Sequence, residues 1–249
     1  GQIQSLNNPF GTIFNPFSIF QAIQQIYDAK EYQEKDLILA NENYISLDHH
    51  SSFDSRYAHK SLDKINQNIE EANQFLQSTN FVIITFGTSY IYEFLPQNRL
   101  VANCHKIPQK FFEKRFLSHQ ELTDSINKTI EILKDICKDD VQILFTVSPV
   151  RHTKDGLIEN QLSKSKLLTA IHESISGKEN CSYLPVYEIL MDDLRDYRFY
   201  KDDLIHPNSQ AVQYIWEKFG NAYFSDETKL FINENNKILT ALNHKTNDD

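Results

Sequence analysis

The chain has 249 residues, 40% hydrophobic and 24% charged, and these proportions are typical of a folded globular protein. Its formal charge of −9 argues against the basic surface that non-specific nucleic-acid binding requires, so no nucleic-acid partner is expected. With only 6 glycines and 7 prolines, the chain is neither collagenous nor linker-like.

The cysteine pattern favours a reducing compartment, and therefore the cytoplasm. Cys104, Cys137 and Cys181 are an odd number without a C-x-x-C motif, so neither a disulfide framework nor a cysteine-based metal site is expected. No apolar run approaches the roughly 20 residues that span a membrane. The sequence begins at Gly1 and not at a methionine, which indicates a processed or truncated chain.

Hydrophobic periodicity predicts helices and strands in alternation. Pro16, after the N-cap candidate Asn15, predicts a helix start. FVIITF and VQILFTV are continuous apolar runs, typical of strands buried on both faces of a parallel sheet. In chain order we predict a strand at 2–6, a helix at 16–29, a strand at 44–47, a helix at 60–79, a strand at 81–86, a hairpin at 89–103, a helix at 119–138, a strand at 141–147, a helix at 158–176, a strand at 183–188, and helices at 208–219 and 226–243.

This alternation predicts an α/β fold, with helices on both faces of a mainly parallel sheet. We expect one domain over residues 1–249, with an insertion at 89–117 and a C-terminal helix and tail at 226–249. Neither G-x-G-x-x-G nor G-x-x-x-x-G-K-[ST] occurs, so no nucleotide cofactor is expected.

Small polar and ionisable residues follow the predicted strands. Ligands of parallel α/β sheets bind beyond the carboxyl ends of the strands, so a site is expected at that edge. The candidate residues there are Gly87 and Thr88, then Ser148 and Arg151, and, beyond the third strand, Asp203 and His206.

Asp203 and His206 lie three residues apart, just before Pro207, which can open a helix. A nucleophilic serine needs a base to take its proton, and an imidazole base needs a carboxylate to fix its tautomer. The alternative is a capping aspartate beside a surface histidine. Because D-x-x-H is common by chance, spacing alone favours that alternative.

Short segments over about residues 8 to 220 carry a more specific signal. They are NPFG at 8–11, NP at 15–16, DHHSSF at 48–53, TFGTSY at 85–90, NCHK at 103–106, TVSPVRH at 146–152, SKSKL at 163–167, YEILMDDLRDYRFY at 187–200 and DDLIHPN at 202–208. Together they resemble the GSCFA family, a branch of the GDSL/SGNH hydrolase superfamily. The resemblance implies a flavodoxin-like three-layer sandwich, with His206 as the catalytic base and Asp203 as its partner.

The motif that names this family, G-S-C-F-A, is absent. In the family it follows the first strand, precedes the NPFG segment and carries the presumed nucleophilic serine. Only seven residues precede Asn8 here, and Ser5 lacks a glycine-flanked elbow. We therefore expect a nucleophile upstream of this chain and a sheet that lacks its first strand. If the chain folds from residue 1, the sheet has an open edge, and because such edges tend to pair with another chain, a homodimer is predicted.

The resemblance also implies an oxyanion hole. By position, Gly11 and Gly87 match the family's glycine donors. The usual asparagine donor is missing. In the family the glycine is followed by the pattern x-Asn-Asp, whereas Gly87 is followed by Thr88, Ser89 and Tyr90. Asn103, in the inserted hairpin, is the hypothetical replacement, and such donors must reach about 2.7–3.1 Å from the developing oxyanion.

Three histidines are candidate substrate-binding residues. His49 and His50 either line the rim of the site or are turn residues beside the capping Asp48. His105 either lines the pocket or belongs to the structure of its loop.

Residues after the strands are also candidate substrate contacts. Thr88 lies beside the glycine of the first strand end, and Ser148 and Arg151 could contact a carboxylate or phosphate. A turn cap is the alternative role for Ser148. Cys104 could act as a nucleophile with His206, but a small buried side chain is the simpler interpretation.

These features predict a serine esterase or acyl hydrolase of SGNH type that acts on a small-molecule or glycan ester. The alternative is a non-catalytic binding or scaffold protein that retains the fold, since G-S-C-F-A and the asparagine donor are missing. No cofactor and no metal are expected for either function.

Overall fold

The computed structural model describes the backbone of residues 4–243 and the side chains of residues 4–238. Two compact units are present, Gly1–Tyr187 and Glu188–Asp249. The helices are α1 Pro16–Tyr27, α2 Ala58–Leu76, α3 His119–Ile136, α4 Leu157–Ile175, α5 Val186–Glu188, α6 Ser209–Tyr223 and α7 Asp226–Asn243. The strands are β1 Ile38–Ala40, β2 Asn43–Ile45, β3 Phe81–Phe86, β4 Tyr90–Phe94, β5 Arg99–Val101, β6 Phe112–Phe116, β7 Gln142–Val147 and β8 Cys181–Leu184.

The core of the larger unit is a parallel sheet with the strand order β3-β7-β8. β3 and β7 run in register from Phe81 opposite Gln142 to Phe86 opposite Val147. Residues 143–147 of β7 are all buried, as expected for the central strand. Helices flank this sheet, so the predicted α/β class is confirmed and the architecture is consistent with a three-layer sandwich.

Local sequence explains where the main helices begin. Asn15 Oδ1 accepts a hydrogen bond from the Ser18 amide at 2.8 Å, and Pro16 occupies the first turn of α1, as predicted. At α3, Ser118 and Glu121 form a reciprocal capping box. α1 and α3 then pack against each other.

The insertion at 89–117 is larger than the predicted hairpin. It forms a three-stranded antiparallel sheet with the order β5-β4-β6, in which Tyr90 pairs with Phe116. The sequence FEKRF of β6 did not predict a strand, because three charged residues separate its two phenylalanines. Pairing with β4 decides its conformation.

Two predicted strands differ from the structure. The strand expected at 183–188 is β8, Cys181–Leu184. It ends before Pro185, which has no amide hydrogen to donate to a neighbouring strand. Of the strand expected at 2–6, residues 2–3 lie outside the described residues, and residues 4–6 form no strand.

The smaller unit is helical. Residues Ile189–Leu194 form a π-helical turn after α5, and a loop leads to α6, where Asn208 Oδ1 accepts a hydrogen bond from the Ala211 amide at 3.0 Å. Its core contains Leu190 and Ala211. The predicted helix at 226–243 is α7, and the tail that follows lies outside the described residues.

β3 forms an open edge of the parallel sheet. Among the described strands only β7 pairs with it, and Ile83 is 51% exposed. An apolar groove of about 540 Å³ lies beside it, with Ile23 of α1, Leu76 of α2 and Ile83 among its lining residues. For the part of the chain that the structure describes, no helix combines the length and apolar character needed to cross a bilayer.

Candidate active site

Asp203 and His206 form a hydrogen-bonded pair in the smaller unit. His206 Nδ1 lies 2.7 Å from Asp203 Oδ2. The second carboxylate oxygen accepts hydrogen bonds from the amides of Ile205, at 2.8 Å, and His206, at 2.9 Å. The aspartate therefore caps its own turn and orients the imidazole at once, so the two roles that the sequence offered are compatible.

A narrow loop holds this pair. Tyr200 and Pro207 form a β-bridge, and the Lys201 amide donates to the His206 carbonyl at 2.8 Å. Leu204, between the two partners, has a φ of 56°, so the chain reverses there. The carboxylate can therefore reach an imidazole only three residues away.

The electrostatics suit a general base. Hydrogen bonds from the amides of His206 and Ile205, together with the imidazole, lower the pKa of Asp203 to about 2. The carboxylate is thus ionised at neutral pH, and Nδ1–H of His206 donates to it. Nε2 then carries the lone pair, and no described residue forms a hydrogen bond with it. With its side chain 53% exposed, His206 can accept a proton from a reacting group.

Two oxyanion candidates already donate their amide hydrogens within the larger unit. The Gly87 amide donates to the Phe14 carbonyl at 2.7 Å, and the Gly11 amide donates to the Asn8 carbonyl at 2.7 Å. An oxyanion would have to displace these carbonyls. The free energy lost with the existing hydrogen bonds would offset the stabilisation gained from the new ones.

Asn103, the third oxyanion candidate, has a different environment. Its Oδ1 accepts from the His105 amide at 3.0 Å. Its Nδ2 has no hydrogen-bond acceptor among the described residues. Asn103 therefore has a side-chain donor that could bind an oxyanion without first breaking a hydrogen bond to another residue.

Lys164 of α4 joins two strand ends and was missed by the sequence reasoning. Its Nζ donates to the Gly87 carbonyl at 2.6 Å and to the Ser148 carbonyl at 2.7 Å. The residue is 0% exposed, and burial lowers its pKa to about 7. A signal was available, because Lys164 lies on the helical stripe of Leu167 and Ile171, where a buried position is expected.

Other polar residues of α4 hold the same loops. Ser163 Oγ accepts from the Ser89 amide at 2.8 Å, and Asn160 Oδ1 accepts from the His152 amide at 2.8 Å. Together with Lys164, they connect the loops at residues 87–89 and 148–152 to the same helix, α4.

The predicted substrate contacts at these strand ends differ in role. Thr88 Oγ1 lies 3.1 Å from Ser163 Oγ and accepts from the Tyr90 amide. Ser148 Oγ accepts from the Val150 amide at 3.3 Å, which is the turn-cap role. Arg151, the remaining candidate at these strand ends, is half-buried.

Two of the three predicted histidines are packed inside the larger unit. His49 is 1% exposed, stacks on Phe10 with ring centroids 4.1 Å apart, and has Nδ1 2.8 Å from Ser46 Oγ. The His105 side chain is 1% exposed, and its Nε2 donates to the Ser46 carbonyl at 2.7 Å. This burial favours the structural role that the sequence left open for both.

His50 is less buried than these two. Its Nδ1 accepts from the Ser52 amide at 3.2 Å, at the start of a short 3-10 turn. This is the turn role that the sequence offered as its alternative.

Burial of His49 predicts acid sensitivity. Desolvation lowers the pKa of His49 from 6.5 to about 3. The unfolded chain binds a proton below pH 6.5 that the folded chain rejects, so this stabilisation is complete above pH 6.5 and is lost as the pH falls towards 3. Between pH 6.5 and about pH 5 it should fall by about 2 kcal/mol.

Urea unfolding of His49→Gln and of wild type across this pH range measures the effect. The difference between their unfolding free energies should narrow as the pH falls, because glutamine does not titrate. The control is His59→Gln, at an exposed position of α2. A pH-independent difference between wild type and His49→Gln would contradict the assignment.

Metal and thiol chemistry find no support in the described residues. No group of three or more His, Cys, Asp or Glu side chains within them could hold a metal ion. Burial raises the pKa of Cys104 to about 11, so its sulfur is a thiol and not a nucleophilic thiolate at neutral pH.

A comparison with models of protein families identifies a match over most of the chain. The model described as “GSCFA family” matches residues 1–219 of the chain. The matched range contains the strand ends of the larger unit and the Asp203–His206 loop. Curated proteins yield no match.

Proposed function

Because the chain belongs to the GSCFA family, we propose that it acts as an ester hydrolase of SGNH type, with His206 as base and Asp203 as its orienting acid. The observation that supports this proposal is the 2.7 Å contact of Asp203 Oδ2 with Nδ1 of the half-exposed His206 side chain. SGNH membership and esterase chemistry are implied by the family resemblance.

The proposed chemistry follows from that geometry. His206 Nε2 takes the proton of a serine hydroxyl as its oxygen attacks the ester carbonyl, and Asp203 stabilises the imidazolium that forms. The imidazolium returns the proton to the departing alcohol. Water then attacks the acyl-serine with the same base, which releases the carboxylic acid and restores the serine.

The remaining parts of the proposed site come from the family comparison. The attacking serine of the proposed reaction is the one that the G-S-C-F-A motif carries in the family. Asn103 is the first choice for an oxyanion donor, because its Nδ2 is available, and Gly11 and Gly87 come second. We propose small-molecule or glycan esters as the substrate class.

Assays of the full-length protein with short acyl esters and acetylated sugars test this function. His206→Ala should abolish hydrolysis. His119→Ala is a matched control, since His119 is also exposed and lies 2.8 Å from a carboxylate, that of Glu173. Equal rates for wild type and His206→Ala would refute the assignment. Binding of acetylated sugars without hydrolysis by wild type would favour the scaffold alternative.

For the 249-residue chain folded from Gly1, with no further strand on this edge, we also propose that two copies pair through the open edge of β3. The strand FVIITF carries no charge to oppose pairing, and Ile83 is half exposed. Light scattering after gel filtration should give a dimer mass for wild type and a monomer mass for Ile83→Lys. A monomeric wild type at micromolar concentration would contradict this proposal.

A further inference from the structure

Lys164 is an ionisable side chain in an unusual place. Its side chain is fully buried, and within the described residues it forms no ion pair. Burying an ammonium group without a carboxylate partner is unfavourable, and such groups concentrate at functional sites. The two hydrogen bonds to the carbonyls of Gly87 and Ser148, at 2.6 and 2.7 Å, are its compensation.

These two carbonyls belong to neighbouring strands. Gly87 directly follows β3 and Ser148 directly follows β7, and the last pair of that ladder is Phe86 with Val147. One amino group thus joins both strands where each becomes a loop. A shorter side chain, or one with a single donor, could not satisfy both acceptors.

We propose that Lys164 is a positioning residue that fixes the loops 87–89 and 148–152 relative to each other, and so sets the geometry of the strand-end part of the site. The inference rests on the proposed function for its catalytic consequence. These loops carry Gly87, Thr88 and Arg151, three of the residues assigned to the oxyanion and the substrate.

Neighbouring contacts of α4 support this role. Ser163 accepts a hydrogen bond from the Ser89 amide, and Asn160 accepts one from the His152 amide. Each loop is therefore held by α4 at a second point, two residues after Gly87 and four residues after Ser148. Loss of Lys164 removes the donor that the Gly87 and Ser148 carbonyls share, and opening of the loops would let water replace it. Opening there should be local, because β3 and β7 keep their own ladder.

Amide hydrogen exchange of the full-length protein tests the structural half. In Lys164→Met, amides of residues 87–89 and 148–152 should exchange at least about tenfold faster than in wild type, with β7 unchanged. Lys164→Arg should restore part of the protection. The control is Lys134→Met, which makes the same change at an exposed position of α3. If Lys164→Met does not fold, Lys164→Gln replaces it, since glutamine can reach one carbonyl at most.

Enzyme kinetics test whether the position of the two loops affects catalysis. Lys164→Met should lower kcat for the hydrolysed ester at least about tenfold with KM nearly unchanged, and Lys164→Arg should recover part of kcat. Unchanged exchange in the two loops would overturn the proposal whatever the activity. Faster exchange with unchanged kcat and KM would also overturn it. A wild type that hydrolyses no ester would refute the proposed function, while the exchange data would still decide whether Lys164 holds the loops.

Discussion

Asp203→Asn is expected to lower kcat for ester hydrolysis by about 10³- to 10⁴-fold without unfolding the protein. An asparagine amide in place of Oδ2 would favour the imidazole tautomer that carries its proton on Nε2. That tautomer cannot take a proton from a nucleophile. The folded state should persist, because Asp203 and His206 are exposed and the variant keeps one oxygen for the amides of Ile205 and His206.

Asp202→Asn is the matched control, because Asp202 is also exposed and its substitution removes the same charge. Its kcat should stay within about twofold of wild type, in line with other exposed substitutions away from a site. Similar losses in both variants would mean that net charge, and not orientation of His206, explains the effect. Circular dichroism of both variants monitors folding.

Gly11→Ala is expected to destabilise the protein by about 3 kcal/mol, the sum of backbone strain and overpacking. Gly11 has a φ of +77°, a conformation that side chains disfavour. A Cβ there would lie 2.2 Å from Cβ of His50 and 3.4 Å from its Cα. These atoms lie on and next to the main chain, which cannot move aside cheaply, because the His50 amide donates to the Phe10 carbonyl.

Gly177→Ala separates strain from contact. Gly177 has a φ of +73°, but nothing lies within 4 Å of a Cβ built on it. This substitution should therefore cost about 1 kcal/mol, the backbone term alone. Urea unfolding of both variants measures the difference. Equal losses would show that the loop at His50 yields to the added methyl group.

The strands that the sequence predicted well are those with mainly apolar sequences. FVIITF and VQILFTV form β3 and β7 over nearly the predicted ranges. Only β7 is buried as predicted, because β3 lies at the edge of the described sheet and half of its residues are exposed. FEKRF became β6 only because β4 lies beside it, which periodicity cannot reveal. The division into two compact units was not anticipated either, and the single domain over residues 1–249 stays a prediction.

The candidate site was also predictable only where its contacts are local in sequence. The Asp203–His206 contact spans three residues, so local sequence was enough to propose it. The partners of Gly87 are remote, since its amide binds Phe14 and its carbonyl binds Lys164. A glycine after a buried strand therefore indicated a site, but not whether its amide was available as a donor.

The β-bridge of Tyr200 with Pro207 has a consequence for protein engineering. Both members of the acid–base pair, and every hydrogen bond that orients them, lie between the two bridged residues. The pair is thus oriented within one short loop, closed at its base by the bridge and by the hydrogen bond from the Lys201 amide to the His206 carbonyl. We expect an insertion before Tyr200 or after Pro207 to disturb the Asp203–His206 contact less than an insertion of the same length between them.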